Sequence, residues 1–294
     1  MITINIVGKP EPAKVPSSWD ELTNTQAQSV FREYFLFLLH KNYERFLDNL
    51  LCYFMPMCKK RGFSFSFGKD KKKVTNAIDI AHIIFDWLIK FDGEKLTFHF
   101  PEIKNRIPEI KIGKFTFKGP DDLLFDITYE EFECANNAQA AFWDGDQEAI
   151  NRFVASLYRV KRNGKRENIE NKNIDDVISA NLKFIRKIPE WQKIMISYWY
   201  SNCILYIRTG DILVNGSTVN FSKLFTGGGS SKKNPLGWQS NIFDLAKNGI
   251  FGTVENTRKA RFFDILLVML DAVNKNEEEK KELEKIKKRN KIKK

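Results

Sequence analysis

Isoleucine, leucine and phenylalanine recur along this chain at two different periods, and the local period predicts which element forms. Ile2, Ile4 and Ile6 alternate with Thr3 and Asn5, the period of a half-buried strand, which the proline-rich stretch from Pro10 to Pro16 closes. Ser18 with Glu21 has the spacing of a capping box, in which hydroxyl and carboxylate satisfy each other's free backbone N–H groups at a helix start. Phe31, Tyr34, Phe35, Leu38 and Leu39 then recur at three and four, as do Phe46, Leu47, Leu50, Leu51 and Phe54, until Pro56 disturbs the second helix. Phe63, Phe65 and Phe67 alternate with serines, which suits a short strand, and Lys69 to Lys73 reads as a loop after it. Helical spacing returns from Ile78 to Phe91 and stops at Asp92-Gly93. Leu96, Phe98 and Phe100 alternate again, as do Ile110 with Ile112 and Phe115 with Phe117, as in antiparallel strands.

The second half is mainly helical in pattern. Thr128 with Glu131 forms another capping box, and Ile127 and Phe132 occupy the two positions of a hydrophobic staple, making this the best-defined helix start in the chain. The helix is expected to reach about Trp143, break at Asp144-Gly145-Asp146, and restart with Asp146 as N-cap through Tyr158. A basic loop follows, then a helix near Ile174 to Ile185 and a nearly all-apolar one from Pro189 to about Arg208. Asn215-Gly216 between Ile212-Leu213-Val214 and Thr218-Val219 predicts a hairpin, because both residues tolerate the positive φ of a type I′ turn. Trp238, Ile242, Leu245 and Ala246 mark a helix face closed by Gly249, and Phe262, Phe263, Leu266, Leu267 and Leu270 mark a final core helix. From Lys275 onward the chain is almost purely Glu and Lys, with too few apolar residues to dock firmly, and a frayed, solvated helix is expected.

This order of elements implies an α+β fold, mainly α, with a helical core, short antiparallel strands and hairpins. It suggests an N-terminal part over residues 1–120, a mainly helical domain over 121–274 and a basic solvated tail over 275–294. At 294 residues the chain can bury one large core or two moderate ones without disulfides or metal. Cys52, Cys58, Cys134 and Cys203 lie scattered in apolar helical contexts, where cysteine acts as a small hydrophobe, so the compartment reads as reducing. The opening residues carry no signal-peptide pattern and the longest apolar run, Ile194 to Ile207, is shorter than the roughly 20 residues of a membrane span. A cytoplasmic protein without a membrane partner is expected.

No pattern of catalytic chemistry emerges, so neither catalytic residues nor a metal or cofactor are expected, and the chain reads as a non-enzyme. The glycine-rich run Gly227 to Gly229 lacks the glycine directly before lysine, and the Ser or Thr after it, that a Walker loop needs. Asp144-Gly145-Asp146 has the wrong glycine and glutamate positions for a calcium loop. His40, His82 and His99 are too dispersed for a local ligand set. Trp191, Tyr198, Trp199, Tyr200 and Tyr206 crowd one helix, beyond what a single core face requires, so core is the default and a protein interface the alternative.

The net charge of +11 sits in three places. Residues 59–73 hold seven Lys/Arg and one Asp, residues 159–172 six Lys/Arg and two Glu, and residues 285–294 seven Lys/Arg and no acid, leaving a mildly acidic remainder. Phosphate contacts by such residues supply sequence-independent affinity for nucleic acid, and the other reading is solubility. Lys69, Lys71, Lys72 and Lys73, with Arg162, Lys165 and Arg166, are therefore the candidate polyanion contacts.

Three runs in the second half point to a family: Ile127-Thr-Tyr-Glu-Glu-Phe132, Leu157-Tyr158-Arg159, and Gly237-Trp238 leading to Leu245-Ala246 and Gly249-Ile-Phe-Gly252. Across residues 127–271 the chain resembles proteins from the tail modules of tailed bacteriophages and prophages, encoded near the tape-measure protein. The resemblance implies a tail-assembly role, that of a chaperone-like protein shielding the long apolar tape-measure helix, with no catalytic residues and no cofactor. The expectation is accordingly a non-enzymatic, protein-binding assembly factor. The alternative is a nucleic-acid-associated protein that binds through its basic loops and tail.

Overall fold

The computed structural model describes residues 1–6, 13–55, 65–67, 72–74, 77–91, 96–169, 171–214, 216–226 and 238–292. It has the expected mainly helical α+β character, with short antiparallel sheets. The chain divides into two compact units, residues 1–102 with 189–199, and residues 103–188 with 200–294. This differs from a boundary at residue 120. The hairpin over residues 109–118 pairs with a strand at residue 159, and that long-range pairing places residues 103–120 in the second unit.

In the first unit, β1 (Ile2–Ile6) is followed not by a plain loop but by β2 (Ala13–Val15), which pairs with it antiparallel, Ile2 opposite Val15. The helix start expected at Ser18 is displaced. Ser18 makes no side-chain cap to the short turn Trp19–Glu21, whereas Thr23 and Gln26 form the reciprocal box that opens α1 (Asn24–His40). Glu21 instead accepts from the Ser17 N–H at 2.7 Å. Helix α2 (Tyr43–Phe54) is capped by Asn42. Strand β3 (Phe65–Phe67) pairs with β1 and with β4 (Lys72–Val74), so Lys72 and Lys73 lie on a sheet-edge strand and not in a loop; Lys69 and Lys71 lie outside the described residues. The apolar run ending at Phe91 is split: α3 (Ala77–Phe85) stops early and β5 (Ile89–Phe91) pairs with β6 (Leu96–Phe98). Trp19 anchors this core, its ring edge-on to Phe100 at 4.8 Å and its Nε1 donating to the His99 carbonyl at 2.8 Å.

The second unit begins with the hairpin β7 (Glu109–Ile112) and β8 (Phe115–Lys118). Helix α4 (Tyr129–Trp143) starts at the Thr128–Glu131 capping box as its sequence requires, and the staple residues Ile127 and Phe132 are both buried. Helix α5 (Ala149–Leu157) begins later than expected, because the Asp146 carboxylate accepts from the Glu148 N–H and forms a turn before the helix. Strands β9 (Arg159–Arg162) and β10 (Lys165–Arg166) replace the expected basic loop and complete a sheet of order β10-β9-β8-β7. Helix α6 (Ile174–Ile185) and α7 (Glu190–Thr209) follow, the residues of α7 from Tyr200 belonging to this unit. The crowded aromatics of α7 are mostly core: Trp199 and Tyr200 are buried, Tyr198 packs edge-on to Phe31, and of the five only Tyr206 is exposed.

The expected hairpin forms from β11 (Asp211–Val214) and β12 (Ser217–Asn220). It is followed by α8 (Lys223–Thr226), α9 (Trp238–Lys247), α10 (Val254–Lys259) and α11 (Phe262–Ile292). The glycine-rich run Gly227 to Gly229 lies outside the described residues. Phe262 at the start of α11 stacks on Phe132 of α4 at 4.2 Å, which ties the last helix to the middle of the unit. The tail is helical and solvated, continuing α11 without a break, its side chains exposed from Glu278 through Lys288. Among the described residues no helix is long and apolar enough to cross a membrane.

Candidate functional site

The second unit contains an open polar cleft of about 1040 Å³, formed where the start of α4, the β9–β10 hairpin and the end of α10 approach one another. Each wall has a local cause. The Thr128–Glu131 box fixes the first turn of α4 and sets Glu130 and Glu131 side by side. Asn163 and Gly164, at φ of 50° and 78°, supply the left-handed pair of a type I′ turn, so β9 reverses into β10 after Arg162. Ahead of α4, Leu123 and Leu124 both adopt positive φ, 54° and 65°, in the tight turn that delivers Asp126. Such backbone costs a side-chain-bearing residue on the order of 1 kcal/mol or more, and burial of both leucines holds it in place.

At the floor lies a four-membered ion cluster. The Glu131 side chain is fully buried, and those of Arg159 and Arg166 are 8% and 6% exposed. One oxygen of Glu131, Oε2, accepts from the Thr128 N–H at 2.8 Å and completes the helix cap. The other, Oε1, is shared by the Nη2 atoms of Arg159 and Arg166. Arg166 Nη1 donates to Asp126 Oδ2 at 3.0 Å and its Nη2 to the Leu157 carbonyl at 2.9 Å, while Arg159 Nη1 donates to the Glu167 carbonyl at 3.1 Å. Burial works against the charge on both guanidiniums. For Arg159 burial wins and lowers the pKa, whereas for Arg166 the two carboxylates Glu131 and Asp126 outweigh it and raise the pKa.

The other charges of the hairpin and of α10 are mixed. Arg162 Nε pairs with Glu167 Oε1 at 2.9 Å and Lys172 Nζ with the same oxygen at 3.0 Å. Part-burial would raise the Glu167 pKa, but these two hydrogen bonds hold it below its ordinary value. Lys161 reaches Glu109 at 2.5 Å, and Lys259 pairs with Glu255 at 2.8 Å. Glu130 is more than nine-tenths buried, and its Oε1 has no hydrogen-bond partner among the described residues. Burial pushes its carboxyl above the ordinary range, with Lys259 opposing.

The sequence-derived polyanion contacts fare unequally. Arg166 is a correction: its guanidinium is buried and bound to Glu131 and Asp126, so it is a structural cation and does not present to a ligand phosphate. Arg162 is exposed but paired, and Lys165 is exposed with no ion-pair partner among the described residues. Lys72 and Lys73 sit on β4, in the other unit, and are not part of this cleft. Arg159, Glu130 and Asp126 carry no site role in the sequence reading, and Glu131 only that of a helix cap. The missing signal for the hairpin was Asn163-Gly164, the same dipeptide type that revealed the β11–β12 turn.

The lining holds carboxylates, guanidiniums, amines, amides and the Thr128 hydroxyl, which donates to Glu131 Oε2 at 3.3 Å, with neither His nor Cys nor Ser. Elsewhere in the unit, burial above all, then the charges of Asp175 and Glu133, pushes the Cys134 thiol up to about 12, far from a reactive thiolate. Among the described residues no group of three or more His, Cys, Asp and Glu is placed to hold a metal ion. Comparison of the chain with protein-family models, with curated proteins and with solved structures finds no match.

Proposed function

We propose that this protein is a non-enzymatic protein-binding assembly factor acting in the cytoplasm, and that the cleft of the second unit receives part of its partner. One observation carries the choice over nucleic acid. Of the six cations between residues 159 and 172, Arg159, Lys161, Arg162, Arg166 and Lys172 are each bound to a carboxylate of the same chain, which leaves only Lys165 uncommitted. A phosphate-tracking surface needs such charges free, because its affinity comes from displacing counterions from phosphates. The cleft also lies at the upper end of the size range of small-molecule sites, in keeping with a polypeptide segment as occupant. The resemblance of residues 127–271 to phage tail-module proteins supports the same reading, with a tape-measure-like helical protein as the partner to try first.

The alternative keeps one support, the exposed basic side chains Lys285, Lys287 and Lys288 on the last turns of α11. Co-expression with a tape-measure-like long helical protein tests the proposal. A complex that survives gel filtration at about 0.5 M salt, where exposed charge pairs are screened, supports protein binding. Failure to form that complex, together with oligonucleotide binding that falls steeply with salt, overturns the proposal in favour of nucleic acid.

A further inference from the structure

Three of the six cations lining the cleft are accounted for: Arg159 and Arg166 by Glu131, and Lys259 by Glu255. Three are not. Lys118 at the end of β8, Lys165 in β10 and Arg261 between α10 and α11 come from separate elements, all line the cleft, and have no ion-pair partner among the described residues. Like charges brought to one recess repel, and an anionic occupant removes that cost. Two further polar atoms in the lining residues lack partners, Glu130 Oε1 and Arg166 Nε, both on side chains that are more than nine-tenths buried. The cleft thus has one unused acceptor and one unused donor near its floor and unused cations around it.

We propose that the cleft binds an acidic segment of a partner polypeptide, whose carboxylates pair with Lys118, Lys165 and Arg261 while its backbone N–H groups approach Glu130. This rests on the protein-binding reading and specifies the chemistry of the partner. A polypeptide fits better than a polynucleotide, because Asp121, Glu130 and Glu255 are interleaved with the cations. A phosphate backbone is negative at every unit and meets those acids; a peptide carries carboxylates at intervals and supplies N–H donors between them. Strand β10 is also the edge of its sheet, and sheet edges accept an extended peptide as an added strand.

The test uses the full chain and a fluorescein-labelled peptide of alternating Glu and Ser, with a Lys-Ser peptide and oligo-dT of matched charge as comparators. Zero-length carbodiimide cross-linking is expected to join the Glu-Ser peptide to Lys118 and Lys165. The triple variant Lys118→Ser, Lys165→Ser, Arg261→Ser is expected to weaken its binding by tenfold or more. Because Lys165 is exposed, the single variant Lys165→Glu provides a second reading that does not depend on the triple variant folding, and a clear loss is expected there too. No binding of the Glu-Ser peptide, cross-links confined to the lysines of α11, an unchanged affinity in Lys165→Glu, or oligo-dT displacing the peptide from Lys118 and Lys165 would each overturn the proposal. A partner complex that forms equally well with the triple variant removes the cleft assignment and leaves the protein-binding reading standing.

Discussion

Replacing Glu131 with glutamine keeps the shape of the side chain and an oxygen to cap α4, and puts an uncharged amide NH2 where the second oxygen met the guanidiniums. Arg159 and Arg166 then share the floor of the cleft with Asp126 as their nearest carboxylate. Two buried cations facing one partly exposed anion is an uncompensated arrangement, and breaking a buried pair in this way costs about 3–5 kcal/mol. For a folded body of this size each kcal/mol moves the melting temperature by about 2–4 °C, so Glu131→Gln is expected to melt about 10 °C lower. Urea unfolding followed by far-UV circular dichroism measures the loss directly, and it should barely change with salt, because buried charges are poorly screened. The double variant Glu131→Gln, Arg159→Met should recover part of the loss, since it removes one stranded cation. A loss below about 1 kcal/mol in Glu131→Gln, the range of exposed ion pairs, would refute the claim that this cluster holds the hairpin to α4.

Four further outcomes follow from the same geometry. A methyl group on Gly119 would lie 2.6 Å from the ring of Tyr158, which is fully buried and donates to the Ile107 carbonyl, so Gly119→Ala should cost about 1–3 kcal/mol; an unchanged melting temperature would contradict this. The folded pKa of Glu130 lies above its unfolded value of 4.5, so this carboxyl contributes most to stability in acid and the contribution is lost as pH rises through that range; Glu130→Gln should therefore stabilise the protein near neutral pH, with the gain shrinking below pH 4.5 in a series of thermal melts. Cys134, raised to about 12 by burial, should resist iodoacetamide in the native protein and react on unfolding, as peptide mass spectrometry would show. Ending the chain after Glu279 keeps the contacts of Lys223 with Asn274 and Glu277 and removes exposed side chains, so the melting temperature should stay within about 2 °C.

Local chemistry was legible wherever one short motif had one reading. Thr128 and Glu131 box the start of α4 because no competing cap lies nearby, and Asn215-Gly216 marks a hairpin because its flanks alternate. The box at Ser18 failed because Thr23 and Gln26, five residues on, have the same spacing and won the helix. Ile89 and Phe91 satisfy both the period of a strand and the tail of a helix, and only pairing with β6 decides between them. Likewise the domain boundary depends on β8 meeting β9 across some forty residues, a pairing that no local window contains.

The candidate site was hidden for a related reason. A charge count over residues 159–172 registers an excess of cations, yet the carboxylates that neutralise Arg159, Lys161 and Arg166 stand at Glu109, Asp126 and Glu131, outside the window. Glu131 is the instructive case, because its role as a capping residue is fully explained by one of its two oxygens. The second oxygen was left over in the local reading, and in the fold it becomes the point where both guanidiniums of the hairpin converge. A helix start and a hairpin thirty residues away are thereby coupled through a single buried carboxylate. Any force that pulls the hairpin from the cleft must also strand two cations or expose that carboxylate, so the strand that presents Lys165 is held to the start of α4.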